Sequence, residues 1–301
     1  ADEARSVGAD PARIPAPLPV GGRLGGLRAE AAERLGLPAG IPVIAGVNDG
    51  TASMLGAGLL EPGDAVDTGG ASGGLGVYTA GPLVLPGVFR APAPIEGRWV
   101  AGGAMAATGA ALDWLAGALL GGWPIEALLT EAAAVPPGAD GLVFLPYLAG
   151  ERAPVFDERA TGAFAGLTLA HGRGHLVRAV LEGAAFALRH VAEPIATAGV
   201  GIRVIRLAGR PSRSELWARI KADVTGVPTE TLAIEGTAVV GAAILAARGV
   251  GLVPTLEAGV RAMVRIDRRF EPDREAGSRY DELYGIYRSL YPASRAALGR
   301  D

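Results

Sequence analysis

The chain has no cysteine, one lysine and three histidines among its 301 residues. The absence of cysteine excludes disulfides, thiolate catalysis and cysteine-ligated zinc sites. Lys221 is therefore the single candidate for any chemistry that needs a lysine, and it falls within a helical pattern. His171 and His175 stand four residues apart without a third ligand nearby, which favours the start of a helix over a metal site. We predict no metal site from the residues of this chain.

Charged residues are also scarce, at 20% of the chain against 50% hydrophobic residues, and the formal net charge is −3. This composition indicates a compact globular protein, and the lack of a basic excess argues against nucleic acid as a partner. The longest apolar run, residues 101–123, is long enough to span a bilayer, but it is rich in glycine and carries Asp113 at its centre. We interpret it as a strand end followed by a buried helix. No signal-peptide pattern opens the sequence, and we expect a cytoplasmic protein without a membrane partner.

Strand-like and helix-like segments alternate along the chain, which predicts an α/β fold. Apolar runs such as residues 141–146 indicate buried strands, and the periodic segment 175–196 indicates a long helix. Residues 11–26, rich in proline and glycine, are expected to form an extended connection. The first sixty residues then hold one strand and two helices, too little to bury a domain core. We therefore place a domain boundary near residue 60, between the end of one domain and a complete second one.

The segment GVNDGTASMLGAG, residues 46–58, places one carboxylate among small residues, directly after an apolar run. Asp49 has two interpretations. It can cap the following helix, because Asn-Asp-Gly favours a turn and an aspartate oxygen accepts a hydrogen bond from an unpaired helix N–H group. It can instead be a general base, because reacting groups are displayed where strands of an α/β sheet end. On local grounds the cap is favoured, since capping residues far outnumber catalytic bases.

Two further segments carry alternatives of the same kind. The element TGGASGG, residues 68–74, lies between two apolar runs, so it predicts a hairpin turn, but successive N–H groups in such turns can also bind phosphate. It matches neither the Walker nor the Rossmann phosphate-binding pattern. The long loop after residue 146 carries five charged residues, four of which predict an ion-paired surface and leave a functional role open: Glu151, Arg152, Asp157 and Glu158.

Taken together, these segments resemble the FGGY carbohydrate kinases, most closely the xylulokinase-like members. Residues 162–182 fit the second signature of that family, and four further blocks follow in the order that the family has: residues 103–115, 147–157, 216–228 and 236–247. The resemblance implies two actin-like ATPase (ribonuclease H-like) domains, with sugar and ATP meeting between them. Residues 1–60 would be the C-terminal remnant of the first, sugar-binding domain. Residues 61–301 would be the second, nucleotide-binding domain, with a mixed sheet flanked by helices.

The resemblance also implies an activity and part of a catalytic site. It predicts an ATP-dependent kinase that phosphorylates a ketopentose such as xylulose and requires Mg²⁺. Asp49 matches the catalytic aspartate of the family, and Asn48 lies beside it on the sugar side. The opening Asp-Gly-Thr strand, which contacts phosphate and magnesium in the family, has no match here. We therefore expect the N-terminal domain to come from the same gene or from a partner chain, and the sequence leaves a homodimer open.

The nucleotide side departs from the family pattern. Ala71 replaces a threonine that contacts the phosphates, and Arg210 with Pro211 interrupts a glycine run beside the adenosine. Proline removes an N–H group, and a side chain blocks the close approach that glycine allows. These changes favour a second hypothesis, a non-catalytic member that only binds sugar or nucleotide. The residues predicted to bind the nucleotide are Gly70, Ala71, Ser72, Gly209, Arg210 and Ser214.

Overall fold

The computed structural model describes residues 5, 6, 8, 10–13 and 18–299, without the side chains of three of them, Pro11, Arg210 and Pro211. The strands within this part of the chain are β1 (Arg23–Gly26), β2 (Pro42–Ile44), β3 (Asp64–Asp67), β4 (Gly73–Thr79), β5 (Phe89–Pro92), β6 (Trp99–Met105), β7 (Val143–Leu145), β8 (Ala163–Ala165), β9 (Val204–Leu207), β10 (Thr229–Leu232) and β11 (Ile266–Phe270). The α-helices are α1 (Ala29–Leu35), α2 (Asp49–Gly56), α3 (Gly109–Trp114), α4 (Ile125–Ala133), α5 (Arg173–Thr197), α6 (Glu215–Thr225), α7 (Thr237–Gly249), α8 (Leu256–Met263) and α9 (Arg274–Ala297).

A seven-stranded mixed sheet with the order β11-β10-β9-β3-β4-β6-β5 forms the centre of the molecule. Strands β3, β9 and β10 are parallel neighbours, and the remaining pairs in this sheet are antiparallel. The carboxyl ends of β3 and β9 therefore lie at the same edge, where α/β proteins commonly bind ligands. Two small antiparallel sheets, β1-β2 and β7-β8, lie outside it. The predicted α/β fold with a mixed sheet flanked by helices is confirmed.

Helices cover both faces of the large sheet, because successive strand residues point to opposite sides. Ala65 of β3 packs in a core cluster with α5 and α6, whereas its neighbour Val66 packs in a second cluster with α2, α7 and α8. The segment 101–123 contains the predicted strand end and helix, with β6 ending at Met105 and α3 following it, but α3 is only half buried, since Asp113 and Trp114 are exposed. None of the helices within the described ranges is both long and apolar enough to cross a bilayer. The division of the chain at residue 60 stays a prediction.

A third core cluster joins α5 to the terminal helix α9 and contains a buried polar network. Arg178 donates from Nε to Glu182 Oε1 over 2.7 Å, and Tyr280 donates to the same oxygen over 2.8 Å. The backbone N–H of Gly138 also donates to Glu182 Oε1, and Arg178 Nη1 donates to the carbonyl oxygen of Val135. Burial raises the pKa of Glu182, and the arginine and the hydrogen bonds act against that shift. This network holds two long helices and an intervening loop together.

Helices α2 and α7 cross at very short range through a pair of glycines. A Cβ atom on Gly56 would lie 1.8 Å from the carbonyl oxygen of Thr237, and one on Gly241 would lie 1.9 Å from that of Ala52. The hydroxyl groups of Ser53 and Thr237 are 2.6 Å apart in the same contact. Only glycine permits this approach, and the crossing fixes α2, and with it Asp49, against the large sheet.

Several elements differ from the sequence prediction. The stretch at residues 11–26 is not only an extended connection, because β1 at its end pairs with β2. β5 contains proline, and β11 exposes four of its five residues, so neither shows the apolar run that marks a buried strand. Both lie at the edges of the sheet, where proline and charge are tolerated. Edge position explains why these strands leave so weak a signal.

Candidate functional site

A pocket of about 440 Å³ opens where α2, the β3–β4 turn, β6 and the start of α7 meet. Two of its lining residues are charged, Asp49 and Arg152, and the others are mostly glycine or small side chains. The full lining is Asp49, Gly50, Ser53, Met54, Thr68, Ser72, Gly73, Gly74, Leu75, Gly76, Phe89, Gly103, Ala104, Arg152 and Ala238.

Asp49 lies in this pocket as the first residue of α2, and it does not cap the helix. The cap is Asn48, whose side-chain oxygen accepts a hydrogen bond from the N–H of Thr51 over 2.8 Å. The interpretation of Asp49 as the helix cap is therefore wrong. Its carboxylate accepts a hydrogen bond from the N–H of Gly50 over 2.8 Å and is otherwise exposed to the pocket. The carboxylate lies at the positive end of the helix dipole, where an acidic side chain stabilises the helix. Asn48 does not line the pocket.

The glycine-rich element forms the predicted hairpin turn, since β3 and β4 are antiparallel with Asp67 opposite Leu75. Thr68 and Ser72 line the pocket from this turn. Thr68 donates its hydroxyl proton to the carbonyl oxygen of Gly74 over 3.3 Å, which closes the turn across its base. The hairpin interpretation is confirmed, and the phosphate-binding interpretation remains compatible with it.

The peptide groups of this turn are oriented in two directions. The carbonyl oxygens of Gly70 and Ala71 accept hydrogen bonds from the N–H groups of Gly109 and Ala110, over 3.1 and 2.8 Å, at the start of α3. Within the described part of the chain, the N–H groups of Ala71 and Ser72 donate to no acceptor. Unpaired N–H groups in a glycine-rich turn can bind an anion. Position 71 is alanine where the family resemblance predicts threonine, but the backbone N–H of Ala71 is still available as a donor.

Gly209 follows β9 and lies directly against the same turn. Its φ of +67° favours glycine, and a Cβ atom there would lie 1.9 Å from the carbonyl oxygen of Gly69. Ser214 caps α6 by accepting a hydrogen bond from the N–H of Trp217 over 3.2 Å. Neither residue lines the pocket that contains Asp49. The side chain of Arg210 lies outside the described residues.

In the charged loop after β7, Glu151 is buried and is not part of the ion-paired surface that we expected, whereas Glu158 is exposed. Glu151 is 4% exposed, and its Oε1 accepts hydrogen bonds from the N–H groups of Ala106 and Arg152. Burial raises the pKa of Glu151 to about 7, although the two N–H donors and the Arg152 charge act in the opposite direction. Asp157 accepts a hydrogen bond from the hydroxyl of Tyr291. Arg152 lines the pocket beside β6.

Lys221 and the histidines lie away from the pocket. Lys221 is buried and pairs with Asp67 at the end of β3, so it is not available to a ligand in the pocket. His175 lies in the first turn of α5, as predicted, where its Nδ1 accepts from the N–H of Gly172 and its Nε2 lies 3.0 Å from Asp140 Oδ2. The part of the chain that the structure describes contains no group of three or more histidine or acidic side chains placed to hold a metal ion.

Sequence reasoning did not identify Ser53, Phe89 and Ala238 as pocket residues. Phe89 belongs to β5, whose proline-containing sequence gave no strand signal, and small residues such as Ser53 and Ala238 carry no functional pattern. The positions of Ser53 and Ala238 depend on the α2–α7 crossing, and that of Phe89 depends on the pairing of β5 with β6, so all three rest on tertiary contacts.

The chain is similar to several known proteins. The C-terminal domain of the FGGY family of carbohydrate kinases matches residues 66–250. Xylulose kinase of Staphylococcus epidermidis is 32% identical over 274 residues, covering 90% of this chain and 55% of that protein. Gluconokinase of Bacillus licheniformis is 31% identical over 275 residues, covering 87% and 53%. The crystal structure of xylulose kinase from Rhodospirillum rubrum has a TM-score of 0.86 at 38% identity, covering 99% of this chain and 60% of that one. The chain spans about half the length of the curated relatives it matches.

Proposed function

Because the chain belongs to the FGGY family of carbohydrate kinases, we propose that the complete gene product transfers the γ-phosphoryl group of ATP to a sugar hydroxyl. The similarity to kinases of known structure, together with the mixed sheet and its helices, also confirms the expected actin-like ATPase fold. The relatives named above include both xylulose kinases and a gluconokinase. A ketopentose, with xylulose first, is the acceptor that these relatives favour.

The observation that carries this proposal is the position of Asp49. Its carboxylate lies in a pocket walled by the glycine-rich turn, and it forms no ion pair with any described residue. A free carboxylate there can orient an acceptor hydroxyl group and accept its proton as the oxygen attacks phosphorus. Phosphoryl transfer depends mainly on such positioning and on charge stabilisation. Asn48, next to Asp49, is proposed to belong to the sugar side.

The nucleotide is proposed to lie along the turn and the β9–α6 loop. The unpaired N–H groups of Ala71 and Ser72 fit a phosphate group, and Gly70, whose own N–H donates to the carbonyl oxygen of Ser72, is proposed to lie beside it. Gly209, Arg210 and Ser214 are proposed to lie on the adenosine side. Mg²⁺ supplies neutralisation of phosphate charge when bound, but the described residues do not offer a set of three ligands for it. We therefore assign no magnesium ligand in this chain.

The test is ATP-dependent phosphorylation by the complete gene product across ketoses, polyols and gluconate. We expect turnover with ATP and Mg²⁺, with the highest kcat/KM on a ketopentose. No turnover on any acceptor would contradict the proposal, and a preference for gluconate would contradict the ketopentose assignment.

A second candidate function is a non-catalytic sugar- or nucleotide-binding protein. Of the three departures from the family pattern, only Ala71 has a described side chain, and it favours this function. The lost hydrogen bond from a threonine to a charged phosphate is worth roughly 1.5–3 kcal/mol. Calorimetry with ATP and Mg²⁺ separates the two candidates. Micromolar affinity accompanied by turnover supports the kinase, whereas sugar binding without nucleotide hydrolysis or transfer supports the binding protein.

A further inference from the structure

Arg152 is the second charged residue of the pocket, and its guanidinium group is unpaired. Several other arginines in the described part of the chain hold carboxylates, as Arg206 does with Glu230 over 3.1 Å and Arg178 with Glu182 over 2.7 Å. Arg152 forms no side-chain hydrogen bond or ion pair within those same residues. A guanidinium group offers five N–H donors in a planar fork that matches carboxylate or phosphate oxygens. Its charge acts on the buried Glu151 carboxyl group, but among the described residues no carboxylate forms an ion pair with it, so its N–H donors are available to an anion in the pocket.

The backbone that carries Arg152 is firmly held. The N–H of Arg152 donates to Glu151 Oε1 over 2.7 Å, and the N–H of Ala106 donates to the same oxygen over 2.9 Å. The N–H of the next residue, Ala153, donates to the carbonyl oxygen of Ala104, which itself lines the pocket. The buried carboxyl group of Glu151 thus ties the loop to the end of β6. A group on a fixed backbone loses less conformational entropy when it binds a ligand.

The pocket places this cation where negative charge would otherwise accumulate. The Asp49 carboxylate and a nucleotide phosphate repel each other at short range, and of the charged residues in the lining only Arg152 is positive. Preorganised cations at a transferring phosphoryl group stabilise the charge that its oxygens carry. A neutral acceptor sugar would offer the Arg152 guanidinium group no charged partner.

We propose that the Arg152 guanidinium binds the oxygens of the phosphoryl group during transfer, an inference that rests on the proposed kinase function. In the reaction, a bond forms between the acceptor oxygen and the γ-phosphorus, and the bond from that phosphorus to the β–γ bridging oxygen breaks. ADP leaves with the electron pair of the broken bond, and the acceptor proton goes to Asp49. Arg152 exchanges no proton and acts as a catalytic residue through charge and hydrogen bonds alone.

Steady-state kinetics of the complete gene product test this role with Arg152→Gln, Arg152→Lys and a matched control, Arg90→Gln. Arg90 is exposed on β5, next to Phe89, but does not line the pocket. We expect Arg152→Gln to lower kcat about 10²–10³-fold, with the KM for sugar changed by less than about threefold. Arg152→Lys should recover part of kcat, because it keeps the charge without the fork. A higher KM for sugar at unchanged kcat would assign the group to the acceptor and overturn the proposal.

A binding measurement tests the site without any turnover. Inorganic phosphate should raise the Tm of the wild type and of Arg90→Gln by equal amounts, and it should raise that of Arg152→Gln much less. Equal shifts in all three proteins, or no shift in the wild type, would overturn the proposal. A shift that depends on Arg152 in a protein without kinase turnover would overturn the proposed function and leave the phosphate site standing. The two failures are therefore distinguishable.

Discussion

The pocket and the α5–α9 layer use the same kinds of charged side chain in opposite ways. In the layer, Arg178 and Glu182 are buried, bonded to each other and to Tyr280. In the pocket, Asp49 and Arg152 are exposed, and neither forms an ion pair with a described residue. Paired buried charges specify and hold a packing arrangement, whereas unpaired charges on fixed backbone are available to a ligand. The difference separates the part of the chain that holds the fold from the part that is suited to chemistry.

The two regions also differ in the size of the side chains that form them. The layer is filled by large aromatic side chains, among them Phe186, Tyr280 and Tyr287. Much of the pocket wall is glycine, and at Gly76 a Cβ atom would lie 2.3 Å from the methyl group of Met54. Small residues leave the volume empty and bring the backbone N–H groups to its surface. The open volume results from the residue types along β4 and its turn.

Removal of the Asp49 charge should have the largest effect and should act on activity alone. We expect Asp49→Asn to lower kcat about 10²–10⁴-fold, since it removes the proposed general base. The free energy of unfolding should change by less than about 1 kcal/mol, because only a helix-dipole interaction is lost. Glu30→Gln, in the first turn of α1 and outside the pocket, is the matched control. Full activity in Asp49→Asn would contradict the assignment of the base.

Disruption of the α5–α9 network should show the reverse pattern. Arg178→Met leaves Glu182 buried without its cation, which we expect to lower the free energy of unfolding by about 3–5 kcal/mol. The double variant Arg178→Met/Glu182→Met should recover much of that loss, because no buried charge is left unpaired. Chemical denaturation measures both values. Equal stabilities of the single and double variants would show that the ion pair does not couple the two residues.

The closest helix crossing should connect stability with activity. In Gly241→Ala, the new methyl group would lie within 1.9 Å of the carbonyl oxygen of Ala52, so α2 and α7 must separate. Overpacking of this kind costs about 1–3 kcal/mol, and it should also displace Asp49 and lower kcat. Gly285→Ala on α9, where the space around a Cβ atom is open, is the control. Loss of stability without any change of kcat would show that the crossing does not position the carboxylate.

The features of the two regions were not all equally predictable from the sequence. Helix α5 and the hairpin were predictable, because their periodicity and glycine content are local properties. The family blocks identified Asp49 and the turn as candidate site residues. The burial of Glu151 and the exposure of Arg152 were not predictable, since both depend on contacts between segments distant in sequence. The capping role of Asn48 rests on a local hydrogen bond from Thr51, and it was missed because Asp49 beside it is an equally good capping residue. Charged residues in a loop look alike in sequence whether they are solvated, buried or directed into a pocket.

Glu151 combines features of the two regions, because it is buried as in the layer and adjacent to the pocket, and its effect should be confined to the pH dependence of stability. Its pKa is about 7 in the folded protein against 4.5 in the unfolded chain, so the folded state holds more protons between these values. Stability therefore falls as pH rises from about 4.5 to 7, by at most on the order of 3 kcal/mol. Burial lowers the pKa of His190 to about 4, so His190 makes the free energy of unfolding rise with pH between about 4 and 6.5. This contribution is the same in the wild type and in Glu151→Gln. The difference in unfolding free energy between these two proteins should change across that window, and parallel profiles would contradict the burial of an ionisable Glu151.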